Sequence, residues 1–234
     1  MMMRNLLMSG GSTSITIAAT VRSPDIAALA RERGWNGYSP IICTINSGVD
    51  VATLSISGIP HDCLTIRNPG GRIGGVLNGG TAIYTRTRIR IDNTGGTIFG
   101  GGGLGGGGGS YLIQNPNSSS YRASGGGGSG GNGAGFSSSG AVTMINAQSG
   151  SSGGSQQLSG PSTGALGTSY GGRGGNGGTI GQAGSIGFDG SASGNYTLIQ
   201  VYQPSQGQPA GLYVDGASFI TWIAEGTRMG NAAN

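Results

Sequence analysis

Apolar and polar residues alternate along the first third of the chain. Thr13, Ile15, Ile17, Ala19 and Val21 recur at every second position, which predicts a β-strand. The period changes at Ser23-Pro24-Asp25, which offers a capping hydroxyl, a proline suited to the first helical position and an acid for the first turn. The following stretch from Ile26 to Arg33 ends in basic residues, with Gly34 as a stop, so a helix of about ten residues is predicted.

Strand-like alternation then returns as a repeat. Leu64-Thr65-Ile66-Arg67-Asn68-Pro69-Gly70-Gly71-Arg72-Ile73 aligns with Ile89-Arg90-Ile91-Asp92-Asn93-Thr94-Gly95-Gly96-Thr97-Ile98. Asn and Gly tolerate positive φ, so the shared Asn-x-Gly-Gly predicts the same turn twice. Thr44-Ile45-Asn46-Ser47-Gly48-Val49 reads as a worn earlier copy. Repeats of one strand and one turn predict stacked rungs of a small parallel β-solenoid; a pair of hairpins is the alternative.

Between Thr81 and Asp92 the alternation carries charge. Ile83, Thr85, Thr87, Ile89 and Ile91 fall on one side, and Tyr84, Arg86, Arg88 and Arg90 on the other. On a single strand these arginines form a row that suits an acidic partner or lipid phosphates, or a solvated face that protects a sheet edge.

Past residue 95 the alternation gives way to glycine, which supplies 54 of the 234 residues and keeps a register. It holds every third position from Gly172 to Gly190, and Gly125, Gly128 and Gly131 repeat that spacing. A period of three belongs to the polyproline-II conformation, and random coil has no reason to keep it. The spacing therefore predicts a polyglycine-II sandwich, in which side-chain-free columns let neighbouring backbones touch and exchange hydrogen bonds. The stretch 171–192 is long enough to turn once and give two such helices.

A scaffold without side chains recognises nothing, so recognition belongs to the segments between the glycine runs, at 110–124, 136–149 and 155–170. They carry Tyr111, Tyr121, Arg122, Phe136, Met144 and Tyr170, and aromatic and Arg anchors are the usual binding hot spots. About half of these rings are expected to lie flat as caps on the glycine layer. The fold class expected is mainly β and irregular: an N-terminal β-rich attachment domain with one short helix at 1–94, a polyglycine-II receptor-binding domain at 95–194 and a closing β segment at 195–234.

Composition narrows the function. Charged residues make up only 9 % of the chain, against the solvated character of disorder. All the basic residues are Arg and most precede Gly95, so the glycine region lacks the interleaved basic and aromatic residues of a nucleic-acid groove. The start Met1-Met2-Met3-Arg4-Asn5-Leu6-Leu7-Met8 is too short an apolar run for a signal peptide, and no stretch is long and apolar enough for a membrane span. Cys43 and Cys63 are expected as thiols. His61, beside Asp62 and Cys63, falls short of a zinc ligand set and reads as a turn residue. Neither metal nor cofactor is expected. Catalysis by paired carboxylates is not expected either, because the glycine region offers Asp189 alone and the end of the chain Asp215 and Glu225.

Three stretches carry a resemblance. The first is the helix from Pro24 followed by Gly34-Trp35-Asn36-Gly37 and the β segment 41–51. The second is 78–98 running into the glycines 100–109, with 171–178 later. The third is the ending 216–230. Together they resemble the glycine-rich distal tail-fibre adhesins of T-even-type bacteriophages and the glycine-rich C-terminal regions of tail-tip host-specificity proteins. The resemblance implies a virion protein attached to a tail-fibre or tail-tip protein, with distal loops that bind a bacterial outer-membrane protein, lipopolysaccharide or another surface receptor. T-even distal adhesins begin with a tryptophan-rich segment, whereas the only tryptophans here are Trp35 and Trp222. A fibre-assembly chaperone and an ice-binding protein are the alternatives.

Overall fold

The computed structural model describes residues 11–160 and 166–234. The Met1 to Met8 start and part of the 155–170 loop lie outside the described residues. The protein is mainly β, with one α-helix and several sheets.

Three of the sheets are parallel throughout, and the chain visits them in turn. The first holds Thr13–Ile17, Ile41–Ile45, Leu64–Arg67, Ile89–Asp92 and Ile220–Ala224. The second holds Val21–Arg22, Asp50–Ala52, Arg72–Gly74, Thr97–Phe99 and Thr227–Met229. The third holds Leu54–Ile56, Ile83–Thr85, Leu212–Asp215 and Asn231–Ala233. Alternate residues point between the sheets, so Ile15, Cys43, Ile66 and Ile91 stack in register across neighbouring strands inside one apolar core. Burial there pushes the Cys43 thiol up to about 12. Cys43 and Cys63 are both free thiols.

The sequence repeat is visible as pairing. Leu64 lies beside Ile89, Ile66 beside Ile91 and Ile73 beside Ile98, so aligned residues are parallel cross-strand neighbours. Asn68 and Asn93 are both buried, and the Asn68 amide donates to Asn93 Oδ1 at 2.7 Å. Asn93 donates in turn to the carbonyls of Glu225 and Gly96 at 2.8 and 3.2 Å. The worn copy is one residue out of step. Thr44 pairs with Arg67, which places the buried Ile45 level with Asn68 and leaves Asn46 exposed. This stops the amide ladder and leaves Asn68 Oδ1 without a partner. Asn93→Ala should therefore lower stability by about 2–4 kcal/mol, because it orphans a buried amide and a carbonyl together; urea unfolding measures it.

The helix spans Ile26–Glu32 and is shorter than its sequence suggests. Its cap is Asp25, whose carboxylate accepts from the Ala28 N–H at 2.9 Å. Ser23 lies before it at φ 46 and does not cap. Gly34, at φ 82, takes the left-handed stop position.

Between Phe99 and Leu212 the chain leaves the three sheets and returns. This excursion contains extended glycine runs at 100–109, 125–134, 147–154, 171–178, 182–190 and 204–211, bonded to one another at every third residue. Gly102, Gly105 and Gly108 donate to Ala134, Gly131 and Gly128, and Gly103, Gly106 and Gly109 donate to Gln182, Ser185 and Phe188. Ser205, Gln208 and Gly211 donate back to Gly107, Leu104 and Gly101. The bonds arrange the runs as two layers, with 147–154, 171–178 and 182–190 in one and 125–134, 100–109 and 204–211 in the other. Glycine is required where the runs touch: a Cβ on Gly105 would overlap the Gly175 carbonyl, and one on Gly130 the Gly105 carbonyl.

The runs share two ends. One meets the parallel sheets, where Phe99, Phe136 and Ala52 form a second core with Met144, Val142, Ile180 and Met229 packed around it. The other end lies away from those sheets and carries the loops 110–124 and 191–203, with the described residues 155–160 and 166–170 beside them.

Candidate functional site

The far end is built from two small antiparallel sheets standing on the glycine runs. Ser110–Asn115 lies between Ser118–Ser124 and Thr197–Tyr202, and Thr168–Tyr170 lies between Ser155–Gln157 and Ser191–Ser193. β-branched and aromatic residues favour strands here, and Asn115 closes the first hairpin by accepting from the Asn117 N–H at 2.9 Å. Ile113, Ala123 and Leu158 form a small core, with Tyr111, Leu166, Ala192 and Tyr196 partly buried against it. The buried Ser169 ties this core to the glycine layer, accepting from the Gly125 N–H and donating to the Tyr111 carbonyl.

Four of the residues singled out from sequence come together at this end. Tyr170 is exposed. Tyr121 is half-buried, and Arg122 is exposed and donates to Gln114 Oε1 at 3.2 Å. Tyr111 is half-buried against the small core of Ile113, Ala123 and Leu158.

Phe136 and Met144 do not belong with them. Gly135–Phe136 and Met144–Ile145 pair at the opposite end of the runs. Phe136 is fully buried, its ring centroid 5.1 Å from that of Phe99, and the Arg72 guanidinium sits over it. The expectation that Phe136 contacts a receptor is corrected, because its ring is fully buried where the glycine runs join the parallel sheets; Met144 is half-buried against the same core. In sequence, the 136–149 segment looked like the other interruptions of the glycine register; which end of a run it falls on depends on how many times the chain has reversed.

The loop 191–203 escaped the sequence reading, which grouped most of it with the closing segment. It brings Leu198, Ile199 and Tyr202 to the surface, all more than 40 % exposed. The run Thr197-Leu198-Ile199-Gln200-Val201-Tyr202 was a strand signal, but nothing in it told which end of the protein it occupies. Across 110–124, 155–170 and 191–203, Arg122 is the one charged residue. The surface is made of tyrosine, aliphatic, amide and hydroxyl groups.

The arginine row is broken. Ile83–Thr85 and Ile89–Asp92 belong to different sheets, and the chain turns a corner between them, held by the Thr85 hydroxyl donating to the Thr87 carbonyl at 2.8 Å. The single strand expected over 81–92 is thus corrected, although the inside–outside alternation persists round the corner. Arg86 stacks on Tyr84 and pairs with Asp215. Arg88 pairs with Asp62, holding that carboxyl below its ordinary range, and its N–H donates to Nδ1 of His61 in the facing turn. Arg90 is exposed and forms no ion pair among the described residues. Glu225 is tied to Arg228. Among the described residues no three His, Cys, Asp or Glu side chains gather as metal ligands do.

No curated protein and no solved structure matches the chain. The family model described as phage tail fibre adhesin Gp38 matches residues 12–233, nearly the whole chain, and the protein therefore belongs to the phage tail fibre adhesins, receptor-binding proteins of the virion tail that recognise the host surface.

Proposed function

We infer that the far-end loops are the receptor-binding surface of this adhesin. The glycine runs act as a polyglycine-II sandwich that holds those loops away from a parallel β-solenoid, and the solenoid side meets the tail fibre. On this reading the protein divides into a solenoid, 11–99 with 212–234, and an inserted sandwich, 100–211. The receptor is an outer-membrane protein, lipopolysaccharide or another component of the bacterial surface.

One observation carries the reading: every loop at the end remote from the parallel sheets displays aromatic and amide side chains on a backbone lattice that has few side chains of its own. Rigid presentation lowers the ordering cost of binding, and Tyr and Arg on such loops are the usual anchors.

Tyr121, Arg122 and Tyr170 are the residues to test. Their combined replacement by alanine should reduce adsorption to host cells by at least about a hundredfold, since two hot spots already account for that much. The melting temperature should stay within a few degrees. Undiminished adsorption would move the receptor site to the solenoid, where Tyr84 and Arg90 stand exposed.

A further inference from the structure

We propose that Thr197–Tyr202 is a docking edge that takes an extended polypeptide segment of the receptor by strand addition. The proposal rests on the reading of the far end as the receptor-binding end, and it assigns the contacting part of the receptor to protein.

The strand is paired on one side only, with Ser110–Asn115. Among the described residues no backbone hydrogen bond reaches its other side. Alternate residues of such an edge present unpaired N–H and C=O groups outward. Native proteins protect edges with lysine, proline or inward-pointing charge, and Thr197-Leu198-Ile199-Gln200-Val201-Tyr202 has none of these. It is instead rich in residues that favour strands. The other outer strands of the two far-end sheets differ: Ser118–Ser124 carries four serines and Arg122, Ser155–Gln157 is wholly polar, and Ser191–Ser193 is made of small residues.

Exposed apolar side chains at successive positions set the strand apart as well. Leu198 and Ile199 are neighbours in sequence, yet 46 % and 42 % exposed. Ile199 sits where the register with Ser110–Asn115 shifts, and such a bulge re-aims a side chain. Of the nine large apolar side chains exposed among the described residues, Tyr170, Ile186, Phe188, Leu198, Ile199 and Tyr202 lie on this end or on the run leading to it. Tyr170 is thereby part of the same end as the edge.

The occupant follows from this chemistry. An extended peptide offers donors and acceptors at strand spacing, with alternate side chains for both apolar flanks. A saccharide offers no such row, and a phosphorylated one calls for a cluster of cations, whereas the three loops carry only Arg122 and the adjoining run only Arg173, whose guanidinium lies over the Phe188 ring.

The test is hydrogen–deuterium exchange on the full chain, free and bound to outer-membrane vesicles of the host bacterium, with vesicles shaved by protease or oxidised by periodate run alongside. Amides of 197–202 should exchange at least roughly tenfold more slowly when bound to untreated or periodate-treated vesicles, and shaved vesicles should not bind. The double variant Leu198→Lys/Ile199→Lys should bind at least roughly tenfold more weakly, with an unchanged melting temperature because both side chains are exposed. Binding that survives shaving and is lost to periodate overturns the proposal. Unchanged exchange at 197–202 in the bound protein also overturns it, and if the Tyr121, Arg122 and Tyr170 variant still loses binding, the far-end reading stands without it. Slow exchange in the free protein together with a dimer in light scattering assigns the edge to a second copy of the chain and overturns it too.

Discussion

Gly130→Ala is expected to unfold the glycine lattice locally, while Gly126→Ala, in the same run, is expected to be neutral or stabilising. A Cβ at Gly130 would overlap the carbonyl oxygen of Gly105, so 125–134 and 100–109 must separate. Separation strains the bonds Gly105 N–H to Gly131, Gly102 N–H to Ala134 and Gly108 N–H to Gly128, at 2.9, 2.6 and 2.8 Å. Overpacking alone costs about 1–3 kcal/mol, and each of the three weakened bonds adds about 1 kcal/mol, so a loss of roughly 4–6 kcal/mol is expected. That is a large share of the stability of an ordinary domain. At Gly126 nothing lies within 4 Å of an added Cβ, and the residue is not among the positive-φ glycines. There alanine reduces the freedom of the unfolded chain and stabilises by about 0.4–1 kcal/mol. Urea unfolding of the two variants, with hydrogen exchange across 100–211, is the measurement. Equal small effects with exchange at coil rates would mean that the runs are not packed at all.

The second large effect is expected at Phe136. Phe136→Ala removes a fully buried ring from the joint with Phe99, and large aromatic truncations of this kind cost about 3–5 kcal/mol. A melting temperature lower by roughly 10 °C is expected for a chain of this size. The folded variant should still adsorb to host cells like the parent, because the ring lies at the opposite end of the runs from the loops. Loss of adsorption with an unchanged melting temperature would return Phe136 to the receptor surface. The pair Phe136→Ala and the combined Tyr121, Arg122 and Tyr170 replacement thus separates joining from recognition.

Short-range patterns were legible from residue types because their causes are local. The alternation of Ile89, Arg90, Ile91 and Asp92 needs only the pleat of a strand. The alignment of 64–73 with 89–98 needs only that equal segments make equal turns, and those residues do become cross-strand neighbours. The three-residue spacing of glycine reappears as hydrogen bonds at every third residue, because the same columns that lack side chains are those where backbones approach. The corner at 85–87 was not legible, since alternation continues through it and only the Thr85 hydroxyl marks the turn. Nor was the one-residue slip at Asn46, which depends on which residue Thr44 faces.

By itself, the sequence determined the material of this protein: a β-rich part with one helix, a glycine-rich part of period three, and tyrosine-bearing interruptions almost free of charge. Tertiary structure alone decided where each interruption goes. The chain leaves the parallel sheets after Phe99 and rejoins them at Leu212, and each glycine run reverses it, so successive interruptions land at opposite ends. Phe136 and Tyr170 are both aromatic residues at the edge of a glycine run, yet one is buried in the joint and the other is exposed at the far end. The physical reason is that a glycine run directs its neighbours only through backbone hydrogen bonds. Their partners lie far away along the chain, and local sequence carries no record of them.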